Sequence, residues 1–445
     1  MEAAALVRLE GGSTREEEDM EEEAEEDESD EVPLLEAGSG GEVRVRRARP
    51  ASGRAGSGTG WGKSRRVGCC LLLTLSLAAL LVLARWGRQG GLLVPTQDYL
   101  DFRQPAGLVS YTDLMEENFS FNLTSRGDVM VFLHIQKTGG TTFGRHLVQD
   151  IDLDRPCQCH RRRTHSYKRK LHCDCFRPDG GEDVGDSSWL FSRYSTGWKC
   201  GLHPDWTELT GCVGNWLASQ EGDIPRRYFY LTFLRSPVER YLSEWRHVRR
   251  GATWAGARHG CGGRDWDLPA CYTGHNWTGV SLQQFLACPH NLALNRQVRM
   301  LADLELVHCY NTTAQTAATR DSLLLHSAMA NLQAMAYFGL TEEQQISQYI
   351  FEETFNLRFK TDFEQLDKTD THSGSAKQKI SDDIIEHIRT LNSLDEELYK
   401  FAKQLLYDRF KSLQDSDDSF EGHMKTIENE KYEFSWSDIE DEDEN

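Results

Sequence analysis

The sequence shows no internal repeat, which excludes the solenoid and propeller architectures that stack one unit many times. Residues 16–31 lack any basic residue while carrying thirteen acids, and residues 415–445 set thirteen acids against only Lys425 and Lys431. The formal net charge of −20 over 445 residues therefore sits at the two ends. What lies between is close to neutral. A uniformly acidic surface is excluded, and an acidic substrate is not. A C-x2-C spacing is also missing. Cys157 with Cys159 and Cys173 with Cys175 are C-x-C pairs, which fit a zinc site poorly and disulfides better. What is present is ample material for a core, with 39% apolar and 27% charged residues. Twelve cysteines and eleven tryptophans are a heavy load for a cytosolic enzyme and point to an oxidising compartment.

Residues 67–84 (VGCCLLLTLSLAALLVLA) carry no charge and are just long enough to span a thin bilayer as a helix. The segment starts too far along the chain for a cleaved signal peptide and reads as a signal anchor. Eight basic residues from Arg44 to Arg66 precede it, and only Arg85 and Arg88 follow closely. The positive-inside rule then predicts a cytosolic N-terminus and a lumenal remainder, a single-pass type II membrane protein. The expected organisation is a disordered cytosolic tail (1–66), the transmembrane anchor (67–84), a stem (85–128), an α/β domain (129–412) and an acidic disordered tail (413–445). Cys69 and Cys70, at the cytosolic edge of the anchor, read as thiols buried in a helix. Glycosylation sequons at Asn118, Asn122, Asn276 and Asn311 all fall on the lumenal side. In the C-terminal third, Ile384, Ile385, Ile388 and Leu391 recur at helical spacing, and Ser393 with Glu396 reads as a capping box.

The segment from Val129 to Leu147, VMVFLHIQKTGGTTFGRHL, carries the most information. Val129 to Ile135 is apolar except for His134, as a strand buried on both faces requires. Gly139 and Gly140 permit a tight turn, and Thr141 and Thr142 open a helix with Phe143 and Leu147 on its apolar face. A strand, a glycine turn and a helix N-terminus form an anion cradle, to which Lys137 adds a point charge. A nucleotide P-loop places its lysine after the second glycine, so an ordinary ATPase or nucleotide kinase is disfavoured. A second junction follows the same plan. Tyr228 to Leu234 reads as a strand, and Arg235-Ser236-Pro237 leads into a helix through Val238, Tyr241, Leu242 and Trp245. Arg235 and Ser243 are candidates to reach one phosphate.

The segments HIQKTGGTTFGRHL, YLTFLRSPVERYLSEWRH and CGLHPDWTEL closely resemble the heparan-sulfate 6-O-sulfotransferase family, over about residues 95–410. The resemblance implies a P-loop-like sulfotransferase fold, with a central parallel sheet flanked by helices and a helical C-terminal part. It implies a Golgi enzyme that moves a sulfuryl group from 3′-phosphoadenosine 5′-phosphosulfate (PAPS) to the 6-hydroxyl of glucosamine in heparan sulfate, without a metal. By resemblance, Lys137, Thr138, Gly139, Gly140, Thr141 and Thr142 form the 5′-phosphosulfate loop, with His134, Ile135 and Gln136 leading into it. Arg235 and Ser243 would hold the 3′-phosphate. Lys137 would neutralise the leaving oxygen, and the resemblance puts the catalytic histidine at His203. From chemistry alone His134 and His146 compete with it, although His134 in its apolar strand reads better as a core or strand-end residue.

A sulfated, carboxylated polysaccharide calls for a basic and aromatic cleft. Residues 160–172 (HRRRTHSYKRKLH) supply six fixed positive charges, among them Lys168, Arg169 and Lys170. Trp189, Arg193, Trp198, His203, His247 and Trp254 are candidates to contact sugar rings. The lumenal topology argues against nucleic acid as the partner of these charges. The alternative from another class is a heparan-binding membrane protein of the same fold that lost transfer. Disulfides are expected to pin the base of the basic run and, through Cys200 and Cys212, the segment around His203.

Overall fold

The computed structural model describes residues 104–116, 119–163, 169–178, 187–254, 257–363 and 380–429. The expected anchor at 67–84, both terminal acidic runs up to 66 and beyond 429, Asn118 and Lys168 lie outside the described residues. Among the described residues no helix is long and apolar enough to cross a membrane.

Four strands form the central sheet: β1 (Asp128–Leu133), β4 (Leu190–Phe191), β5 (Arg227–Leu234) and β8 (Tyr337–Leu340), in the order β4-β1-β5-β8 and all parallel. Every residue of β1 is buried, as the uninterrupted apolar run required, because a parallel strand with helices on both sides meets no water. Asp128 begins β1 one residue before the expected start and pairs in register with Arg227 of β5, whose Nε donates to Asp128 Oδ1 at 2.7 Å. The main helices are α1 (Gly140–Gln149), α2 (Trp206–Glu221), α3 (Pro237–Arg250), α4 (Arg296–Leu301) and α5 (Ala317–Ala334). They continue with α6 (Gln344–Phe355), α7 (Asp382–Leu391), α8 (Ser393–Ser416) and α9 (Phe420–Asn429). The expected α/β architecture, a parallel sheet with a helical C-terminal part, is what the chain adopts.

The basic run forms an antiparallel hairpin, β2 (Gln158–Arg163) with β3 (Arg169–Asp174), in which Cys159 faces Cys173 and His160 faces His172. Disulfides Cys157–Cys175 and Cys159–Cys173 close its base, and Cys173 and Cys175 are buried in the core. A short hairpin, β6 (Gly260–Cys261) with β7 (Arg264–Asp265), is tied by Cys261–Cys309. Cys200–Cys212 and Cys271–Cys288 complete the pairing of all ten cysteines beyond residue 150.

Three expectations change. Core packing starts before the expected domain start at 129: Val109, Leu114 and Phe121 are buried in the main core, and the Val109 N–H donates to the Tyr228 carbonyl at 3.0 Å. The domain does not end at 412. That position lies inside α8, and α9 follows it with Ile427 buried and Phe420 and Met424 packed on the core. Asp417 and His423 supply the clasp. His423 Nδ1 lies 2.7 Å from Asp417 Oδ2 and 3.4 Å from Glu353 Oε1, while the Tyr349 hydroxyl donates to Asp417 at 2.9 Å. Composition alone hid these apolar anchors among acids. The third change is at Ser393, where α8 is capped from outside and not by its own sequence. Asn392 is the N-cap without a side-chain capping bond, and the N–H groups of Leu394 and Asp395 donate to Asn295 Oδ1 at 3.1 and 3.2 Å.

Candidate active site

The chain leaves β1 at His134 and turns through Lys137 and Gly139, both with left-handed backbones (φ 65° and 77°). Gly139 is the N-cap of α1 and offers no side chain, so no capping bond occupies the helix start. The first N–H groups of a helix have no acceptor within it, and here they face a half-exposed loop beside Lys137, a geometry of the kind that holds anions at helix starts. Gly140 is required for a different reason. A Cβ there would stand 2.2 Å from His134 Cδ2, because the imidazole lies against the turn. The loop is held from within. The Thr138 hydroxyl donates to the Ile135 carbonyl at 2.9 Å, and Thr341, just past β8, donates to the Thr138 carbonyl at 2.7 Å and to the Leu234 carbonyl at 3.0 Å.

The second junction comes to the same place. Arg235 follows β5, and its Nη1 donates to the Lys137 carbonyl at 3.4 Å. Its backbone is fixed by Gln297, which accepts from the Arg235 N–H and donates to the Arg235 carbonyl, each at 2.9 Å. Pro237 takes the first helical position of α3, as expected. Ser243 is half-buried on α3.

His203 stands beside this cradle. It is buried (5% exposed) in a left-handed conformation (φ 47°), and its Nδ1 lies 3.3 Å from the His134 carbonyl oxygen. A carbonyl only accepts, so this contact calls for a proton on Nδ1. Trp198 packs against it at 4.5 Å between ring centroids, His134 at 4.8 Å, and Arg193 covers Trp198 at 5.5 Å. The segment is immobilised on both sides. Cys200 is bonded to Cys212 of α2, and Asp205 and Glu208 form a reciprocal capping box at the start of α2.

A small polar pocket adjoins His203, lined among others by Gln136, Trp254, Arg258, Arg296 and Arg299. Of its arginines, Arg296 is buried and spent on Gln136 and Glu244, and Arg299 donates to the Leu292 carbonyl at 3.0 Å. On its floor, burial pushes the carboxyls of Asp205 and Glu208 above the ordinary range, Glu208 further because Asp205 is beside it. Glu208 also accepts from the Gly260 N–H at 2.8 Å, which ties α2 to the β6–β7 hairpin. His259 is pushed down to about 4 by burial and by Arg299 and Arg296, so it stays neutral near physiological pH. Glu244 goes the opposite way. Burial alone would raise it, but Arg296 and Arg240 outweigh burial and hold it at about 2.

Comparison with known proteins decides the family. Residues 122–402 match the model of the sulfotransferase family. The chain is 51% identical over 302 residues to heparan-sulfate 6-O-sulfotransferase 1 of Cricetulus griseus, covering 66% of this chain and 71% of the relative. It is 50% identical to the Homo sapiens protein of that name, covering 66% and 69%. It is 52% identical to heparan-sulfate 6-O-sulfotransferase 2 of Danio rerio, covering 64% of this chain and 59% of that longer relative. The chain belongs to the heparan-sulfate 6-O-sulfotransferase family.

Within this family member, the structure gathers Gln136, Lys137, Arg193, Trp198, His203, Arg235 and Trp254 around one centre. Other candidates have different surroundings. His146 sits in the last turn of α1, bound to Asp150 at 2.7 Å and packed on Phe363. Trp189 is wholly buried in the core. His247 is about as buried as His203, and its carbonyl accepts from the Ala252 N–H at the end of α3. The side chains of Ile135 and Thr138 turn inward, leaving only their backbone to a cradle. His134 is the strand-end residue expected, and it also orients His203. Sequence reading missed Glu244, Arg296, Arg299 and the Asp205–Glu208 pair. The only local signal was the capping-box spacing of the last two, directly after His203.

Proposed function

We propose that this chain transfers a sulfuryl group from PAPS to the 6-hydroxyl of glucosamine residues in heparan sulfate, with His203 as the base. One observation carries this reading: an uncapped helix start with Lys137 and Arg235 at its mouth stands directly against a histidine whose tautomer is set by the His134 carbonyl. Sulfuryl transfer is an in-line displacement in which charge builds on the leaving oxygen, so positioning and electrostatics supply most of the catalysis. Lys137 and the first N–H groups of α1 receive the 5′ end of the donor, with Thr141 and Thr142 adding hydroxyls. Arg235 and Ser243 receive the 3′-phosphate. Nε2 of His203 takes the hydroxyl proton, and the Nδ1–H bond to the His134 carbonyl stabilises the imidazolium that results. Lys137 neutralises the leaving oxygen, and the chemistry needs no metal.

On the acceptor side, Arg193, Trp198 and Trp254 contact sugar and sulfate. His247, being buried, shapes α3 behind them. The basic hairpin with Lys168, Arg169 and Lys170 tracks the polyanion further out. The enzyme is a single-pass type II protein of the Golgi membrane with a lumenal domain. Complete cysteine pairing among the described residues supports that compartment, and so do the sequons. Asn122, Asn276 and Asn311 are all exposed, and each accepts through Oδ1 from the hydroxyl of the threonine two residues on, at 2.8, 2.9 and 2.8 Å. Incubating the full-length chain with labelled PAPS and desulfated heparin, followed by disaccharide mapping, tests the reading. Label on the glucosamine 6-position is expected. Heparin binding without label transfer would favour the binding-protein alternative.

A further inference from the structure

Glu244, on α3 one residue past Ser243, is nearly wholly buried, and three donors converge on its carboxylate. Arg240 Nη1 donates to Oε2, and Arg296 Nη2 and Trp254 Nε1 donate to Oε1 at 2.5 and 3.1 Å. The second arm of Arg296 reaches the opposite way, its Nη1 donating to Gln136 Oε1 in the donor loop at 2.7 Å. The neighbouring Gln297 clasps the backbone of Arg235. The N-terminus of α4, which carries both residues, is itself capped by Asp395 of α8, which accepts from the Gln297 and Val298 N–H groups at 3.2 and 2.8 Å. One carboxylate thus stands between the donor loop, through Arg296 and Gln136, and the acceptor wall, through Trp254.

A buried carboxylate between two guanidiniums is an expensive way to hold helices together, because desolvation cancels much of the attraction and apolar packing would serve as well. What apolar packing would not provide is direction. Each bond here is aimed at a residue of one of the two subsites. We propose that Glu244 is a positioning residue for transfer: through Arg296 it sets Gln136 of the donor loop and Trp254 of the acceptor wall on one frame, so that hydroxyl and sulfuryl group align. The inference rests on the transferase reading above. It predicts that damage at Glu244 lowers turnover more than it lowers affinity for the donor, since misalignment costs the transition state and leaves most ground-state contacts in place.

The test uses the full-length chain, PAPS-dependent labelling of desulfated heparin, and separately measured affinity for the desulfated nucleotide product. Activity is expressed per nucleotide-binding molecule, so that unfolded protein does not count. Glu244→Gln and Arg296→Lys are each expected to lower kcat by about tenfold or more, with product affinity changed by less than about threefold. Arg296→Lys keeps the charge and loses the fork that bridges Gln136 and Glu244, and it decides the matter alone if Glu244→Gln does not fold. A double-mutant cycle adds a reading that a merely structural role would not move. Gln136→Ala should lower kcat in the wild-type background and have little further effect in the Arg296→Lys background. A lowered melting temperature with unchanged kcat per binding molecule, or additive effects in the cycle, would overturn the inference and leave the transferase reading intact. A wild-type chain that transfers no sulfate would overturn that reading and the inference with it.

Discussion

In the glycine turn, residues 134–142 lie within one strand–turn–helix unit, and Arg235, Thr341, Arg296 and His203 reach it from outside. The cleft beside it takes His203 from one segment, Trp254 from a second, and Arg296, Arg299 and Tyr310 from a third and fourth. The cradle is built from backbone N–H groups whose direction follows from helix geometry, so a short motif suffices to specify it. The cleft is built from side chains that no local rule brings together. They are held by covalent staples, Cys200–Cys212 and Cys261–Cys309, and by buried polar groups, the Asp205–Glu208 capping box and Glu244 with its arginines. Anion binding can therefore be encoded locally, while acceptor alignment is encoded by cross-links.

His203→Ala offers the largest effect. Transfer should fall by about 10²–10⁴-fold with product affinity retained, because the ring meets the acceptor and not the nucleotide. Loss of nucleotide affinity instead would show that the two regions are not separable. Lys137→Ala should lower kcat by about 10²–10³-fold, since its charge matters most as the leaving oxygen forms. Arg235→Ala should instead act chiefly on affinity for PAPS, and stopped-flow binding with steady-state kinetics distinguishes the two patterns.

Breaking a staple probes the cleft alone. Cys261→Ser with Cys309→Ser opens a loop closed across 48 residues and should cost about 3–4 kcal/mol of stability, raise the heparan KM, and leave nucleotide affinity in the surviving folded protein near normal. Calorimetry under non-reducing conditions measures the first effect.

The Asp205–Glu208 pair makes a pH prediction whose sign follows from its raised carboxyls. Protons leave such carboxyls in the unfolded chain at about pH 4 and stay longer in the folded one. Their contribution is therefore fully present below that range and is lost as pH rises through the raised values. The wild-type melting temperature should include a decline of this origin from mildly acidic to mildly alkaline pH. Glu208→Gln should lower the temperature overall, because an amide nitrogen cannot accept from the Asp205 or Gly260 N–H, yet should flatten that decline. Parallel curves for the two proteins would refute the assignment. Glu244 acts with the opposite sign and only in acid, its contribution being lost as pH falls below the carboxylate range toward about 2.

The smallest single effects belong to the hairpin. Neutralising Arg161, Arg162, Arg163, Lys168, Arg169 and Lys170 together should raise the heparan KM and flatten its salt dependence, with PAPS affinity unchanged, because charges of this kind are screened beyond about 8 Å at physiological ionic strength. Single neutralisations should be hard to detect.

The run Val129–Ile135, the glycine pair and the Arg235-Ser236-Pro237 junction were legible in the linear chain because strand burial, turn formation and helix initiation each depend on residues within a few positions of one another. The parallel sheet and the uncapped strand–turn–helix follow from these local rules, as does the C-x-C pattern closing a hairpin. Only the folded chain decided that Trp189 is core while Trp198 packs on His203 and Trp254 lines the pocket beside it, since a tryptophan carries no mark of which side it will show. The same holds for His146 against His203, which differ by the carbonyl or carboxylate each meets. Apolar anchors at Val109, Leu114, Phe121 and Ile427 extended the domain beyond its expected limits, because burial is set by a distant surface and not by neighbouring charge. Glu244 shows the limit most plainly. It reads as one more acid on a charged helix, and the fold alone, by bringing Arg296 from 52 residues away and Trp254 from 10, makes it the point where the two subsites meet.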